Sequence, residues 1–104
     1  MLLSTTFDIT GRKIDKSLGL VTGNTVRSKN LGKDIVAGLR NLVGGEVPEY
    51  TEMLSESRFE ALKRMKDNAK KMNADAVVGV RFTTSSITAR AAELLAYGTA
   101  VKLK

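Results

Sequence analysis

The sequence predicts an α+β fold in one domain, with two β-hairpins flanking two helices packed on an antiparallel or mixed sheet. Three observations carry this prediction. Apolar residues recur at every second position near 13–27, 76–84 and 94–103, the period of strands with one buried face. Near 49–73 the apolar period changes to that of an amphipathic helix, and the pair Gly44-Gly45 separates this stretch from a shorter helical pattern. The chain has 104 residues, 42% hydrophobic and 27% charged, a composition suited to a single small globular domain spanning 1–104.

Taken in order, residues 2–7 read as a short strand, because Thr and Phe suit a pleated, half-buried surface, and Asp8 to Arg12 read as a turn. A long strand follows over 13–27. Ile14, Leu18, Leu20 and Val26 share one parity and are expected to face the core. Gly19, Val21, Gly23 and Thr25 take the other parity, small enough to admit a close backbone or a bulge. Arg27 to Asn30 break the strand, with Ser28 or Asn30 as helix caps. Ile35, Leu39, Leu42 and Val43 then place a helix near 31–43, ended by Gly44-Gly45. These glycines follow a helix C-terminus and have no Lys-Ser/Thr after them, so they are not a phosphate loop.

Pro48 fits the first turn of the second helix, near 49–73. At 100° per residue, Tyr50, Met53, Leu54, Ala61, Leu62, Met65, Ala69 and Met72 form one apolar stripe. The opposite face begins with Glu49, Glu52, Glu56 and Glu60 and ends with Lys63, Lys66, Asp67 and Lys70, an order that complements the helix dipole. Glu60 with Arg64 and Asp67 with Lys71 add pairs four residues apart. Asn73 to Asp75 turn the chain into a strand near 76–84, with Val78, Val80 and Phe82 expected on one face and Val77 and Arg81 on the other. Residues 85–93 read as a polar connection, and 94–103 as the last strand.

Composition narrows the chemistry. Cys and His are both absent, which excludes disulfides, thiolate nucleophiles and the thiolate or imidazole donors that soft metals prefer. An oxygen-donor site for a hard cation, built from Glu46, Glu49 and Glu52, has no diagnostic spacing. Residues 1–7 carry no basic segment followed by an apolar core, so no signal peptide is expected. No apolar run approaches the ~20 residues of a membrane helix, and a cytoplasmic location is expected. Net charge is +6, but the cations are scattered and the few aromatics are not interleaved with them. Nucleic-acid binding therefore ranks third among the readings.

Two residues break the helix pattern. Arg58 falls within the apolar stripe, where a lone cation is disfavoured. Glu46, in the loop before the helix, is its nearest expected partner; the competing arrangement has Arg58 reaching solvent along the stripe's edge. Phe59 lies about 180° from Tyr50 on a regular helix, an exposed ring on a charged face that suits burial by another subunit. Glu46, Tyr50, Glu52, Arg58 and Phe59 are thus the candidate ligand or interface residues. No catalytic residue, metal ligand or cofactor is assigned. Tyr50 with Glu46, Glu52 and Arg58 would suit a small anion or modest acid-base work.

The segments Leu39-Arg40-Asn41-Leu42-Val43-Gly44-Gly45-Glu46, Tyr50-Thr51-Glu52-Met53-Leu54, Ala74-Asp75-Ala76-Val77-Val78-Gly79-Val80-Arg81-Phe82 and Tyr97-Gly98-Thr99-Ala100-Val101, with Arg58, Ala61, Met65 and Ala69, resemble the YbjQ-type family over essentially the whole chain. Members are small bacterial and archaeal cytoplasmic proteins without an assigned reaction, and the family carries a heavy-metal-binding label. The resemblance implies a compact α+β subunit that partners with itself in a homopentamer-like ring. A structural or interaction protein is therefore expected before an enzyme.

Overall fold

The alternating stretches form strands and the helical stretch forms a helix in the computed structural model, which describes residues 1–28, 48–88 and 91–104. The elements are β1 (Leu2–Leu3), β2 (Ile14–Ser28), α1 (Pro48–Lys71), β3 (Ala76–Thr88) and β4 (Ala91–Leu103). The four strands make one mixed sheet in the order β1-β3-β4-β2, and α1 packs on one face, mainly over β2. One helix is therefore seen among the described residues; the helix expected near 31–43 lies outside them.

The expected β3–β4 hairpin pairing is present, antiparallel, and longer than anticipated. Instead of a polar connection over 85–93, β3 continues through Thr88 and β4 begins at Ala91, because Thr83 to Thr88 are β-branched or small and pair with Ala91 to Leu95. The first expected hairpin does not form. Strand β1 is only two residues long and runs parallel to β3, Leu2 opposite Ala76 and Leu3 opposite Val77, while β2 pairs antiparallel with β4. The N-terminal segment stays attached to β3 beyond β1: Val80 N donates to Ser4 O (2.9 Å) and Gly79 N to Thr6 O (2.9 Å). Arg81 completes the attachment, its guanidinium 5.8 Å from the Phe7 ring centre and its Nη1 donating to Thr5 O (2.9 Å).

Two register shifts decide which side chains face the helix. In β2 the shift between Ser17 and Gly19, where Gly19 has φ 104°, moves the inward parity from that of Leu18 to that of Val21, and an earlier shift between Ile14 and Lys16 leaves Ile14 in a different cluster from Leu18. Val21, Gly23 and Thr25 are buried, whereas Leu20 (72% exposed) and Val26 (53%), expected in the core, face away from it. In β3 the shift between Val78 and Arg81, with Gly79 at φ 63°, separates residues expected on one face. Val77 and Val80 join the helix-side core with Val21, Ala61, Met65, Ala69, Ala96 and Ala100, while Val78 joins Ala76 and Val101 in a smaller cluster with Ile9 and Ile14.

Helix and sheet meet closely because both contact surfaces are small. On α1 the fully or nearly buried residues are Ser57, Ala61, Met65 and Ala69, a row spaced by four. Opposite them Gly23 lacks the Cβ that would overlap the Met65 amide and the Ala61 carbonyl. The helix ends at Lys71 with Asn73 in the left-handed region (φ 62°), Ala74 N bonding to Ala69 O (3.1 Å) and Asn73 N to Lys70 O (3.0 Å). That pair of bonds is a Schellman closure, with Asn in the place glycine usually takes.

Candidate functional site

The first half of α1 carries the candidate residues that the described structure contains. Glu52, Arg58 and Phe59 are all exposed, and Phe59 is 74% exposed on the charged face, as its position on the helical wheel requires. Glu52 and Arg58 lie about 120° apart around the helix and ~9 Å apart along it, so their side chains leave in different directions. Tyr50 belongs to the first turn of α1. Glu46, and with it the expected Glu46–Arg58 pairing, and the Gly44-Gly45 loop lie outside the described residues.

Arg58 does not occupy the centre of the buried stripe. It reaches solvent, and its Nη2 donates to Ser55 Oγ at 3.3 Å. Ser57 takes the buried place instead. Its carbonyl accepts Thr25 Oγ1 (3.3 Å) and its Oγ accepts Arg27 Nε (3.2 Å). These two bonds satisfy a polar pocket between helix and strand, where an unpaired hydroxyl would be costly. Arg27 and Ser57 were not singled out by the sequence pattern. The signal that identifies Ser57 is its place four residues before Ala61 and eight before Met65, in the same row of buried positions.

Arg27 stands between two depressions. On one side an apolar cleft of about 120 Å³ runs between Met53, Leu54 and Ser57 of α1 and Thr84, Ala92 and Leu94 of the sheet. On the other an open groove of about 570 Å³ is bordered by Arg27, Glu56, Phe59, Glu60, Lys63 and Lys66. Three cations and two carboxylates line this groove beside an exposed aromatic ring. Glu60 is engaged by Arg64 (Nε to Oε1, 3.1 Å), the ion pair expected from their spacing. The arrangement can hold a small anion against Lys63, Lys66 and Arg27, but it contains no nucleophile paired with a base.

A second polar cluster joins the ends of β3 and β4. Asp75 Oδ2 accepts Leu103 N (2.9 Å), and Oδ1 accepts Lys102 Nζ (3.2 Å). The Leu103 amide, then Lys102, holds the Asp75 carboxyl below its ordinary range, and Arg12 adds a smaller attraction against the cost of desolvation. This is a latch between strands. Among the described residues no group of three Asp or Glu is placed to hold a metal ion, and the chain supplies neither Cys nor His. The residues present do not fit a soft-metal centre. Among the described residues no helix is long and apolar enough to cross a membrane.

Comparison with known proteins agrees with this fold. A family model named YbjQ and described as "Putative heavy-metal-binding" matches residues 1–104. A UPF0145 protein from Archaeoglobus fulgidus is 61% identical over 104 residues, covering 100% of this chain and 96% of the relative. Another from Methanococcus maripaludis is 65% identical over 92 residues (88% and 82% covered), and one from Dehalococcoides mccartyi 56% over 101 residues (97% of each). Among solved structures, a protein of unknown function in the DUF74 family from Pediococcus pentosaceus has the same fold. Its TM-score is 0.71 at 17% identity, over 100% of this chain and 98% of that one. With a family model matching end to end and relatives above half identity, the chain belongs to the YbjQ family, whose relatives carry the name UPF0145.

Proposed function

We propose that the protein is a subunit of a homo-oligomeric ring, five-membered as its family resemblance implies, with a structural or a ligand- or partner-binding role at the subunit boundaries. The observation that carries this reading is the second face of the sheet, over which no helix packs among the described residues. Helix α1 shields one face only, and the small cluster around Ala76, Val78 and Val101 covers one end of the other. The rest of that face leaves Leu20 72% and Val26 53% exposed. Phe59 adds an exposed ring on α1. Large apolar side chains left in water on several surfaces of so small a chain favour burial between copies.

Native mass spectrometry of the purified protein tests this reading. A discrete multiple of the 11.3 kDa subunit, with five the expected number, supports it, and a monomer at micromolar concentration overturns it.

The groove beside Phe59 favours a second reading, small-anion binding. Lys63, Lys66 and Arg27 supply the charge, and the Gly44-Gly45-Glu46 loop with Tyr50 remains the other candidate ligand region. A heavy-metal role has no soft donor to rest on in this chain. Weak nucleic-acid binding ranks third, because Glu56 and Glu60 interrupt the basic groove.

A further inference from the structure

The groove beside Phe59 is polar in a particular order along α1. Taking Phe59 as zero, Lys63 lies ~40° and Lys66 about −20° around the helix axis, ~6 Å and ~10 Å further along it. The ring and the two lysines therefore form one row. Glu56 and Glu60 flank the ring on one side of that row, each within a turn of it. So the groove has a ring end with carboxylates and a lysine end.

The fold leaves each of these groups available. Phe59 is 74% exposed, and no large apolar side chain among the described residues is more so. Two ion pairs form among the described residues, Arg64 with Glu60 and Lys102 with Asp75, and neither Lys63 nor Lys66 belongs to one. Lys66 is half-buried, so part of its stem is already packed and less entropy is lost when its ammonium group is fixed. Arg27 borders the same groove, held there by the bond from its Nε to Ser57 Oγ (3.2 Å). The depression, about 570 Å³, falls within the ~300–1,000 Å³ of ordinary small-molecule sites.

Chemistry selects the ligand. Two ammonium groups within one helical turn can converge on a single phosphate, which Lys holds as a point charge. A ring face open to water stacks on a nucleobase, whatever the base. Ionised carboxylates accept hydrogen bonds and donate none, so Glu56 beside the ring favours a ligand whose uncharged end carries O–H or N–H donors. The carboxylates also repel negative charge, which confines a phosphate to the lysine end and disfavours a long polyanion. We infer that the groove binds a mononucleotide, with its base against Phe59, its sugar hydroxyls or base amines toward Glu56 and its phosphate between Lys63 and Lys66. The inference rests on the small-anion reading of this groove and names the class of anion.

Isothermal titration calorimetry on the full chain at low salt tests this with AMP, GMP, CMP and UMP, against ribose 5-phosphate and inorganic phosphate. The expected result is that at least one nucleotide binds at least ~10-fold tighter than ribose 5-phosphate, and that Phe59→Ala removes this preference. Lys63→Gln with Lys66→Gln, which keeps the stems and removes the charges, should weaken every phosphate ligand at least ~10-fold. The preference among ligands is read on the wild-type chain and needs no variant to fold. Ribose 5-phosphate and inorganic phosphate that bind as tightly as every nucleotide, and are lost with the lysines, overturn the nucleotide while leaving the small-anion reading standing. Nucleotide binding that survives both sets of substitutions overturns the groove as the site. Affinity that keeps rising with the length of a single-stranded oligonucleotide overturns the inference in favour of a nucleic-acid strand. No binding of any of these ligands at millimolar concentration removes the small-anion reading and this inference together.

Discussion

Gly23 sets how closely the helix can approach the sheet. A Cβ at this position would overlap the Met65 amide nitrogen and the Ala61 carbonyl oxygen and lie 2.8 Å from the Arg64 carbonyl carbon. All three obstacles are helix backbone, which has no rotamer to change, so α1 as a whole must move. Gly23→Ala is therefore expected to cost about 1–3 kcal/mol or more, the range for overpacking a core, read as a fall in the denaturation midpoint with unchanged m-value. Wild-type stability in this variant would show that the contact is softer than its geometry. Asp75 acts at the same scale through charge. Its folded pKa is lowered by the Leu103 amide and Lys102, so its contribution is present above the unfolded pKa of about 4 and is lost as pH falls through the lower, folded value. The Asp75→Asn variant should be less stable than wild type near neutral pH and should converge on it in the acid range. A stability gap that stays constant across urea titrations from neutral to acid pH would remove the carboxylate's charge as the cause.

The long strands, the helix and its solvent face were legible in the sequence because each has a period of its own. The expected span near 49–73 differs from α1 by one residue at its start and two at its end, and the Glu60–Arg64 pair and the exposed Phe59 follow from spacing alone. Faces after a bulge were not legible. A single extra residue at Gly19 or Gly79 exchanges inward and outward sets, so Leu20 and Val26 point away from the core and Val78 and Val80 part company. Gly23 shows the complementary case: the small parity of β2 reads as a place for close approach, and close approach makes it the buried one. The same packing explains Arg58. A helix resting on glycine touches the sheet along a narrow four-residue row, Ser57-Ala61-Met65-Ala69, not along a broad stripe, and Arg58 falls outside that row. The pairing of β1 with β3 was hidden for another reason: a two-residue parallel contact across more than seventy residues leaves no local pattern. Of the candidate site, Glu52 and Phe59 were found where the wheel puts them, and Arg58 was found in solvent instead of within the stripe. Arg27, which borders both depressions, and Ser57, which lines the apolar cleft, were missed because their meeting depends on the tertiary contact between β2 and α1.

At the scale of the molecule, the shape is long for the amount of chain. The principal extents are 54 × 24 × 16 Å and the radius of gyration is 17.1 Å, against ~13 Å for a compact domain of this length. Strand length explains it, since β2 has 15 residues and β3 and β4 have 13 each, beyond the usual range for globular domains. A helix of 24 residues spans ~36 Å, while fifteen strand residues span ~50 Å. Helix α1 therefore cannot cover the sheet along its length, and among the described residues no helix packs on the sheet's second face. In the proposed ring, burial between copies would stabilise the subunit by mass action and make the melting temperature depend on protein concentration. For a five-membered assembly that melts with its dissociation, a hundredfold increase in concentration adds about 2 kcal/mol per subunit. In a domain of this size that raises the midpoint by roughly 10 °C. Calorimetry over such a concentration range checks this, provided unfolding is reversible on reheating. A midpoint that does not move with concentration would mean that the long ribbon carries its own stability, and the exposed Leu20, Val26 and Phe59 would then owe their place to something other than assembly.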